Sequence, residues 1–233
     1  RFVVELEAAP LVLDLARIPL LLTLLIELSR FGARLPDHRI KAYDRMVEHL
    51  LTVHPALRQR AAGATQPHSQ ISADDLKEAM ARVALRIQQD HGGGYAPIDT
   101  CRDSLVSYLS DQSEGPGYTR GEAWDKASQA IEDARTSLGL LVERSTGELG
   151  FIHLTIQEYL AAWATSRKPD PDQQSILAEH WRDPTWREVL LALIGIHGVL
   201  RRERTRVEAL VDSLRAQSRS ALDRWRQWEI LAE

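Results

Sequence analysis

Residues 140–153 form the one stretch of this chain in which apolar residues leave helical periodicity, and this change constrains the fold more than any other feature. Two short apolar runs, 140–142 and 149–152, flank a polar turn that contains Gly147, which tolerates a positive φ angle. Such a pattern predicts a β-hairpin. Apolar residues spaced by three and four positions on both sides of it predict helices. The chain is therefore expected to be mainly α, with one short hairpin.

Three predicted helices precede the hairpin. The first and third begin with capping patterns, Ser72 with Asp75 and Thr119 with Glu122, whose side chains can satisfy the free amides of a helix N-terminus. Between them a helix is predicted near residues 99–111. Three helices followed by a hairpin are the order of a winged helix.

The N-terminal region predicts further helices. One ends at about Ala16, and another covers residues 20–30, because Pro19 has no backbone donor and suits the first turn of a helix. Pro36 is expected to open the next helix. The polar stretch 63–70 is typical of a surface loop or a domain boundary.

A third capping pattern, Thr155 with Glu158, follows the hairpin and predicts another helix. Two prolines and two aspartates make residues 168–172 a predicted linker. Residues 173–233 are expected to form three or four short helices, as at the start of an α-solenoid, although no repeat period is visible. Two apolar faces are predicted to be buried there: Trp186, Val189, Leu190, Leu193 and Ile194 on one, and Val207, Leu210, Val211 and Leu214 on the other.

Composition excludes several classes of protein. The 233 residues carry a net charge of −4, so no overall positive field attracts nucleic acid or an anionic membrane. The longest apolar run, 18–26, is too short to span a bilayer, which takes about 20 residues. Cys101 alone cannot form an intramolecular disulfide and is interpreted as an ordinary buried thiol. Because the chain begins with Arg1 and shows no targeting segment, we expect either an internal piece of a longer protein or a deliberately trimmed chain.

The sequence contains no motif of an active site. Walker A, dinucleotide-binding, Gly-x-Ser-x-Gly and His-Glu-x-x-His patterns are all missing, and the eight histidines are scattered. No catalytic residue and no metal site are therefore predicted. DNA binding is disfavoured, because the third predicted helix, 122–138, has four acidic against two basic side chains. The basic cluster 201–206 is interpreted as a solvated helix face.

His153 is the one candidate binding residue that its position suggests. It stands between a predicted strand and the start of a helix, where free amides and the helix dipole attract anions. An imidazole there can donate a hydrogen bond to a phosphate. Alternatively, it simply caps or packs the junction, and the physics of the site alone favours this second interpretation.

Four segments resemble, in order, segments of NACHT-type STAND NTPases. The most specific is 151–162, Phe-Ile-His-Leu-Thr-Ile-Gln-Glu-Tyr-Leu-Ala-Ala. It is similar to the family's Phe-x-His-x-Ser/Thr-x-Gln-Glu-Tyr/Phe-Leu-Ala-Ala signature, with Ile156 where an aromatic residue is usual. Residues 16–25 resemble the Asn-Pro-Leu-Leu-Leu segment of the first helical domain, with Ile18 in place of Asn. Weaker matches lie at 141–144 and 183–189.

The resemblance implies three modules: a first helical domain in residues 1–65, a winged-helix domain in 71–167 and a second helical domain in 170–233. The P-loop subdomain that binds ADP or ATP with Mg²⁺ would lie upstream in the same chain. Pro19 would then lie near the adenine, and His153 would contact the diphosphate of ADP. That contact would hold a closed, inactive state, and its loss would permit homo-oligomerisation.

The expected function is the regulatory part of a cytoplasmic signalling ATPase in bacterial immunity or stress signalling. This part has no Walker motif of its own, and neither DNA nor a membrane is an expected partner. Two alternatives stay open. One is a winged-helix DNA-binding regulator, and the other is a passive helical scaffold in which the winged helix only packs.

Overall fold

The computed structural model describes residues 2–30, 34–61, 71–92 and 94–217. Within them the chain is mainly helical, as predicted, and carries one small antiparallel sheet. The predicted loop at 63–70 lies outside the described residues, as does the end of the predicted second helical domain. None of the described helices is both long and apolar enough to cross a lipid bilayer.

The described residues form eleven α-helices and three strands. The helices are α1 Phe2–Glu7, α2 Pro10–Leu13, α3 Pro19–Arg30, α4 Arg39–Ala61, α5 Ala73–His91, α6 Ile98–Ser110, α7 Arg120–Thr136, α8 Leu154–Ser166, α9 Asp170–His180, α10 Arg187–Gly195 and α11 Arg204–Ala216. The strands are β1 Ala96–Pro97, β2 Leu141–Ser145 and β3 Glu148–Phe151. Two short 3₁₀-helices, Asp14–Arg17 and Pro184–Trp186, and one π-helix, Ile196–Leu200, lie between them.

The N-terminal region is more broken than predicted. In place of one helix that ends near Ala16, α1, α2 and a 3₁₀-turn follow one another. The physical reason is Pro10, which has no N–H and starts a new helix. The predicted break at Ile18 is confirmed, because its extended backbone (φ −99°, ψ 116°) precedes a helix that begins at Pro19.

The start of α4 differs from the prediction. Pro36 does not open this helix, which begins at Arg39. The imidazole Nδ1 of His38 accepts a hydrogen bond from the Ile40 amide at 3.2 Å, a capping role that a proline side chain cannot perform. Pro36 is instead buried in the segment before the helix.

The capping patterns ahead of α5 and α7 are confirmed. Ser72 Oγ accepts from the Asp75 amide at 3.1 Å. Thr119 Oγ1 accepts from the Glu122 amide at 3.4 Å, and the Glu122 carboxylate accepts from the Thr119 amide at 3.0 Å. These reciprocal bonds complete a capping box. Both helices therefore begin where local hydrogen bonding places them.

The predicted hairpin is present as β2 and β3, joined at Gly147, whose φ is 78°. The sequence does not indicate β1, which has two residues and includes a proline. This strand pairs antiparallel with β3, so the strand order is β1-β3-β2. The Gly147 carbonyl accepts from the Ile98 amide at 2.9 Å, which holds the start of α6 against the turn. From α5 to β3 the chain order is helix, strand, helix, helix, hairpin.

The predicted linker after α8 is shorter than expected. Residues 170–172 are helical, because Pro171 suits the first turn of a helix, and only three residues separate α8 from α9. Most side chains of the two predicted apolar faces beyond it are buried, which confirms those faces. The buried ones are Trp186, Val189, Leu190, Leu193, Leu210 and Leu214, and the half-buried ones are Ile194, Val207 and Val211.

The basic cluster 201–206 is only in part a solvated face. The Arg201 guanidinium is half-buried and donates to the carbonyl and the hydroxyl of Ser166 at 2.9 and 3.0 Å. Arg206 pairs with Asp170 at 3.0 Å. These two arginines therefore fasten the start of α11 to the corner between α8 and α9, and the interpretation as a solvated face is wrong for them.

Helix α8 lies at the centre of the structure. It packs against α4, α5 and α10, and nine of its thirteen residues are buried. One continuous cluster of buried apolar side chains surrounds it and includes Leu25, Met80 and Leu193, which come from the three predicted modules. A displacement of α8 would therefore disturb the packing of each of them.

Close packing of α4 against α10 requires Gly195. A Cβ atom added at this helical position would lie 2.5 Å from Ile40 Cγ1. Gly195→Ala is therefore expected to lower the free energy of unfolding by about 1–3 kcal/mol, the usual cost of overpacking a core. Chemical denaturation followed by circular dichroism measures this change.

Gly121→Ala is the matched control for this substitution. Gly121 lies in α7, and an added Cβ would have no neighbour within 4 Å. Because alanine favours a helix over glycine by about 1 kcal/mol, this variant should be as stable as the wild type or more stable. A Gly195→Ala variant that behaves like the control would contradict the close α4–α10 contact.

Candidate functional site

His153 connects β3 to α8 and caps the helix. The Ile152 amide still donates to the Leu140 carbonyl at 2.9 Å, and the helix begins two residues later at Leu154. Between them, His153 Nδ1 accepts from the Thr155 amide at 3.1 Å. The imidazole thus satisfies one of the free amides at this N-terminus. The capping interpretation of this residue agrees with the geometry.

Capping determines which ring nitrogen carries the proton. Because Nδ1 of His153 accepts a hydrogen bond, the proton of the neutral ring lies on Nε2. Burial lowers the pKa of His153, which favours the neutral form at neutral pH. Within the described residues Nε2 makes no hydrogen bond. The cap therefore leaves one N–H donor for another group.

The third predicted capping box is wrong. Thr155 lies inside the first turn of α8 and not before it, and its amide already donates to His153. Glu158 therefore does not reach back to that amide. Its carboxyl group is half-buried instead, and burial, together with the Glu188 carboxylate of α10, raises the pKa of Glu158 to about 7.

Pro19, the other predicted nucleotide contact, lies at the exposed start of α3. Its carbonyl accepts from Thr23 Oγ1 at 2.9 Å. No hydrogen bond or ion pair among the described residues joins it to His153. Three open cavities of about 400 to 700 Å³ lie elsewhere on the described surface, and neither residue lines them. The two predicted contacts therefore do not enclose a nucleotide pocket by themselves.

Polar contacts of α8 inside the core are the part of the site that sequence reasoning missed. Tyr159 is 1% exposed and donates its hydroxyl proton to Asp44 Oδ1 of α4 at 2.7 Å. The same oxygen accepts from Lys77 Nζ of α5, also at 2.7 Å. Lys77 Nζ also lies 3.6 Å from the centre of the Trp163 ring, so this ammonium contacts both the Asp44 carboxylate and the face of an aromatic ring. We call these four residues the α8 junction.

The α8 junction is electrostatically self-consistent. Burial, and then the neighbouring Asp44 carboxylate, raise the pKa of the Tyr159 hydroxyl well above its ordinary value, so the group stays a donor. Lys77 supplies the charge that a partly buried carboxylate needs, because an unpaired one would be strongly destabilising. The junction thus joins α4, α5 and α8 through groups that all keep their partners.

A second polar chain leads from α8 towards the C-terminal helices. Gln157 Nε2 donates to Gln88 Oε1 of α5 at 3.4 Å, and Gln88 Nε2 donates to the Thr185 carbonyl at 2.8 Å. Both glutamines are 1% exposed. A buried polar group that loses its partner costs about 1–3 kcal/mol, so this chain sets the position of α8 relative to α5 and the 3₁₀-turn before α10. The sequence signal for both networks is the presence of Gln157 and Tyr159 next to the apolar residues Ile156 and Leu160.

Cys101 fits its interpretation as an ordinary thiol. It lies in α6, is 1% exposed, and burial raises the pKa of its thiol to about 11. A thiol with such a pKa is not a nucleophile at neutral pH. Across the described ranges, no three His, Cys, Asp or Glu side chains converge on a possible metal site.

Comparisons with known proteins found no match among protein-family models, curated proteins or solved structures. The resemblance of residues 151–162 to the NACHT signature therefore rests on those residues. What the structure adds is the environment of each one: a helix cap at His153 and buried polar partners for Gln157 and Tyr159.

The hydroxyl of Tyr159 is expected to stabilise the fold. Tyr159→Phe keeps the ring but removes the donor to Asp44, so the free energy of unfolding should fall by about 2 kcal/mol, as for other hydrogen bonds to charged groups. Urea denaturation measures the change. Tyr95→Phe is the control, because Tyr95 is 50% exposed and its hydroxyl has no partner in the described part of the chain. Equal stability of both variants would contradict a role for the α8 junction.

Glu158 gives the fold a pH dependence. Its folded pKa of about 7 lies above the ordinary 4.5, so the folded chain holds a proton that the unfolded chain releases between these values. Stability should therefore fall as pH rises through this window. The Glu158→Gln variant cannot ionise at this position and does not lose stability in this way. At pH 8 its free energy of unfolding should exceed that of the wild type by about 1 kcal/mol, a difference that already allows for solvent screening.

Thermal unfolding of Glu158→Gln and of the wild type at pH 4 and pH 8 provides the test. The two proteins should unfold alike at pH 4, where the carboxyl group is protonated in both the folded and the unfolded wild type. Glu7→Gln, at an exposed position of α1, is the control and should not change the pH profile. Identical profiles for Glu158→Gln and the wild type would contradict the burial of an uncharged carboxyl.

Proposed function

We propose that this chain is the regulatory part of a NACHT-type STAND signalling ATPase, in which a bound nucleotide controls domain opening and oligomerisation. The observation that carries the proposal is the geometry of His153 within the signature segment 151–162. Its Nδ1 is engaged by the helix cap, and its Nε2–H is left as a donor at the N-terminus of α8. Such a donor next to a helix N-terminus is a suitable partner for a diphosphate.

The architecture supports the same proposal. The chain from α5 to β3 contains the three helices and the hairpin expected of a winged-helix domain, with β1 as an added strand. Its sheet leads directly into α8, which begins next to His153. The signature residue that would sense the phosphate is thus held by the hairpin on one side and by α8, which is largely buried, on the other.

ADP or ATP, with Mg²⁺, would be held mainly by the P-loop subdomain expected upstream. The phosphates of the nucleotide would supply the negative charge that distinguishes the closed state from the open state. His153 would donate to the diphosphate from a position that the cap holds constant. Asp44, which accepts from Tyr159 of α8, would pass a shift of that helix to α4. Gln88 of α5, which bonds to both Gln157 and the Thr185 carbonyl, would pass it to the turn before α10. The bias towards the closed state is only as large as the difference in nucleotide affinity between the states.

Two substitutions separate the donor role of His153 from its capping role. His153→Ala removes both the cap acceptor and the donor. His153→Ser keeps a cap acceptor, because serine is a good N-cap, but does not reproduce the Nε2–H. In the parent protein with its P-loop subdomain, both variants should release ADP about tenfold faster, the equivalent of one lost charge-assisted hydrogen bond. Only the alanine variant should also lose stability.

Nucleotide content after desalting and mass by light scattering are the two readouts. We expect both variants to retain less ADP and to oligomerise without a trigger. If both retain ADP as well as the wild type and stay monomeric, the switch role of His153 is wrong. The passive scaffold would then be the better description, since the residue would serve only as a cap.

The DNA-binding alternative gains no support from α7. Arg135, one of its few basic residues, pairs with Glu132 at 3.2 Å and with Glu143 at 2.7 Å. Trp124 is 45% exposed, and the Arg102 guanidinium lies 5.0 Å from the centre of its ring. Arg135 and Arg102 thus have partners already, whereas DNA binding depends on cations that are available to phosphates.

A further inference from the structure

His197 is buried in the π-helix Ile196–Leu200 between two oxygen atoms. Its side chain is fully buried. Nδ1 lies 2.6 Å from Glu203 Oε2, and Nε2 lies 2.8 Å from Gln173 Oε1. A carboxylate oxygen can only accept a hydrogen bond, so Nδ1 carries a proton. The state of Nε2 then depends on the orientation of the Gln173 amide.

The Gln173 amide is oriented by a second set of contacts. Its Nε2 donates to the Lys168 carbonyl at 2.7 Å and to the Ser166 carbonyl at 3.4 Å. Exchange of the amide oxygen and nitrogen would place Oε1 2.7 Å from the Lys168 carbonyl oxygen, with no proton between them, whereas the Ser166 carbonyl would keep its donor from Arg201. Oε1 is therefore the atom that faces His197, and it also accepts.

We infer that His197 is a doubly protonated imidazolium in the folded chain and acts as a buried charged clasp between Glu203 and Gln173. A neutral ring has one N–H only and would turn a lone pair towards one of the two acceptors at hydrogen-bond distance. With both nitrogens protonated, each acceptor receives a donor. The clasp then joins α9, the π-helix and the start of α11.

Several charges act on the ring. Burial, and to a smaller extent Arg201 and Arg206, lower the pKa of His197, whereas Glu203 raises it by its hydrogen bond and its charge. The two acceptors favour the charged form, because loss of either ring proton brings a lone pair against an oxygen. The charged side chains of the surrounding elements are themselves paired: Asp170 with Arg206, Arg167 with Glu78, Asp44 with Lys77 and Arg187 with Glu188.

The clasp makes the attachment of α11 sensitive to pH. The Glu203 amide also donates to the His197 carbonyl at 2.8 Å, so this residue is tied to the π-helix by backbone and side chain. The unfolded chain holds a histidine proton only below about pH 6.5. For the imidazolium to persist in the folded chain, the two acceptors must outweigh burial, which lowers the pKa of His197. Stability from the clasp is then present below that pH and is lost as pH rises through the pKa of the folded state. This device is independent of nucleotide binding.

Nitrogen NMR of the histidine rings in the 233-residue chain tests the protonation state directly. At pH 7 both ring nitrogens of His197 should show the shifts of protonated nitrogens, and His197→Gln should remove this pair of signals and so assign it. His180, which stacks on Trp186 at 3.9 Å, is the comparison ring, assigned with His180→Gln. A His197 ring with one unprotonated nitrogen at pH 7 overturns the inference.

A second variant tests the role of the carboxylate. Glu203→Gln replaces the charged acceptor, so the midpoint of the His197 titration should fall by at least one pH unit. Asp212→Asn, at an exposed acid of α11, should leave the midpoint unchanged. The wild type should also lose more thermal stability than Glu203→Gln between pH 6 and pH 8. An unshifted midpoint in Glu203→Gln overturns the clasp.

Discussion

The buried polar groups of α8 are the constraint on which the rest of the structure depends. An apolar helix in an apolar core can rotate or slide at low cost, but Tyr159 and Gln157 each need a hydrogen-bond partner there. Asp44 of α4 and Gln88 of α5 provide these partners. Each bond removes about 1–3 kcal/mol of penalty that a displaced helix would incur. These bonds therefore fix both the position of α8 along its axis and its rotation about that axis, relative to α4 and α5.

The same helix carries the candidate binding residue at its N-terminus, and this connection gives the proposed switch a physical route. His153 is coupled to α8 by the cap bond to Thr155. Four residues further on, Gln157 begins the polar chain to Thr185, and Tyr159 follows with its bond to Asp44. A force on the imidazole ring thus acts on a rigid helix whose contacts lie in all three predicted modules.

Local signals in the sequence were reliable where a residue interacts with near neighbours. Ser72 and Thr119 cap the helices that their spacing predicts, and Gly147 turns the hairpin. The pattern at Thr155 has the same spacing but does not form a capping box, because the Thr155 amide donates to His153 Nδ1 and not to Glu158. Two acceptors competed for one donor, and spacing alone does not rank them.

By itself the sequence determined the helical content, the hairpin, most helix boundaries and most of the buried faces, because periodicity and caps act over a few residues. Tertiary structure alone decided the pairing of β1 with β3, the partners of Tyr159 and the two acceptors around His197. The bonds of Tyr159 and Gln157 join residues 69 to 115 positions apart. No local pattern specifies such a partner, and only the packed core brings the two groups within hydrogen-bond distance.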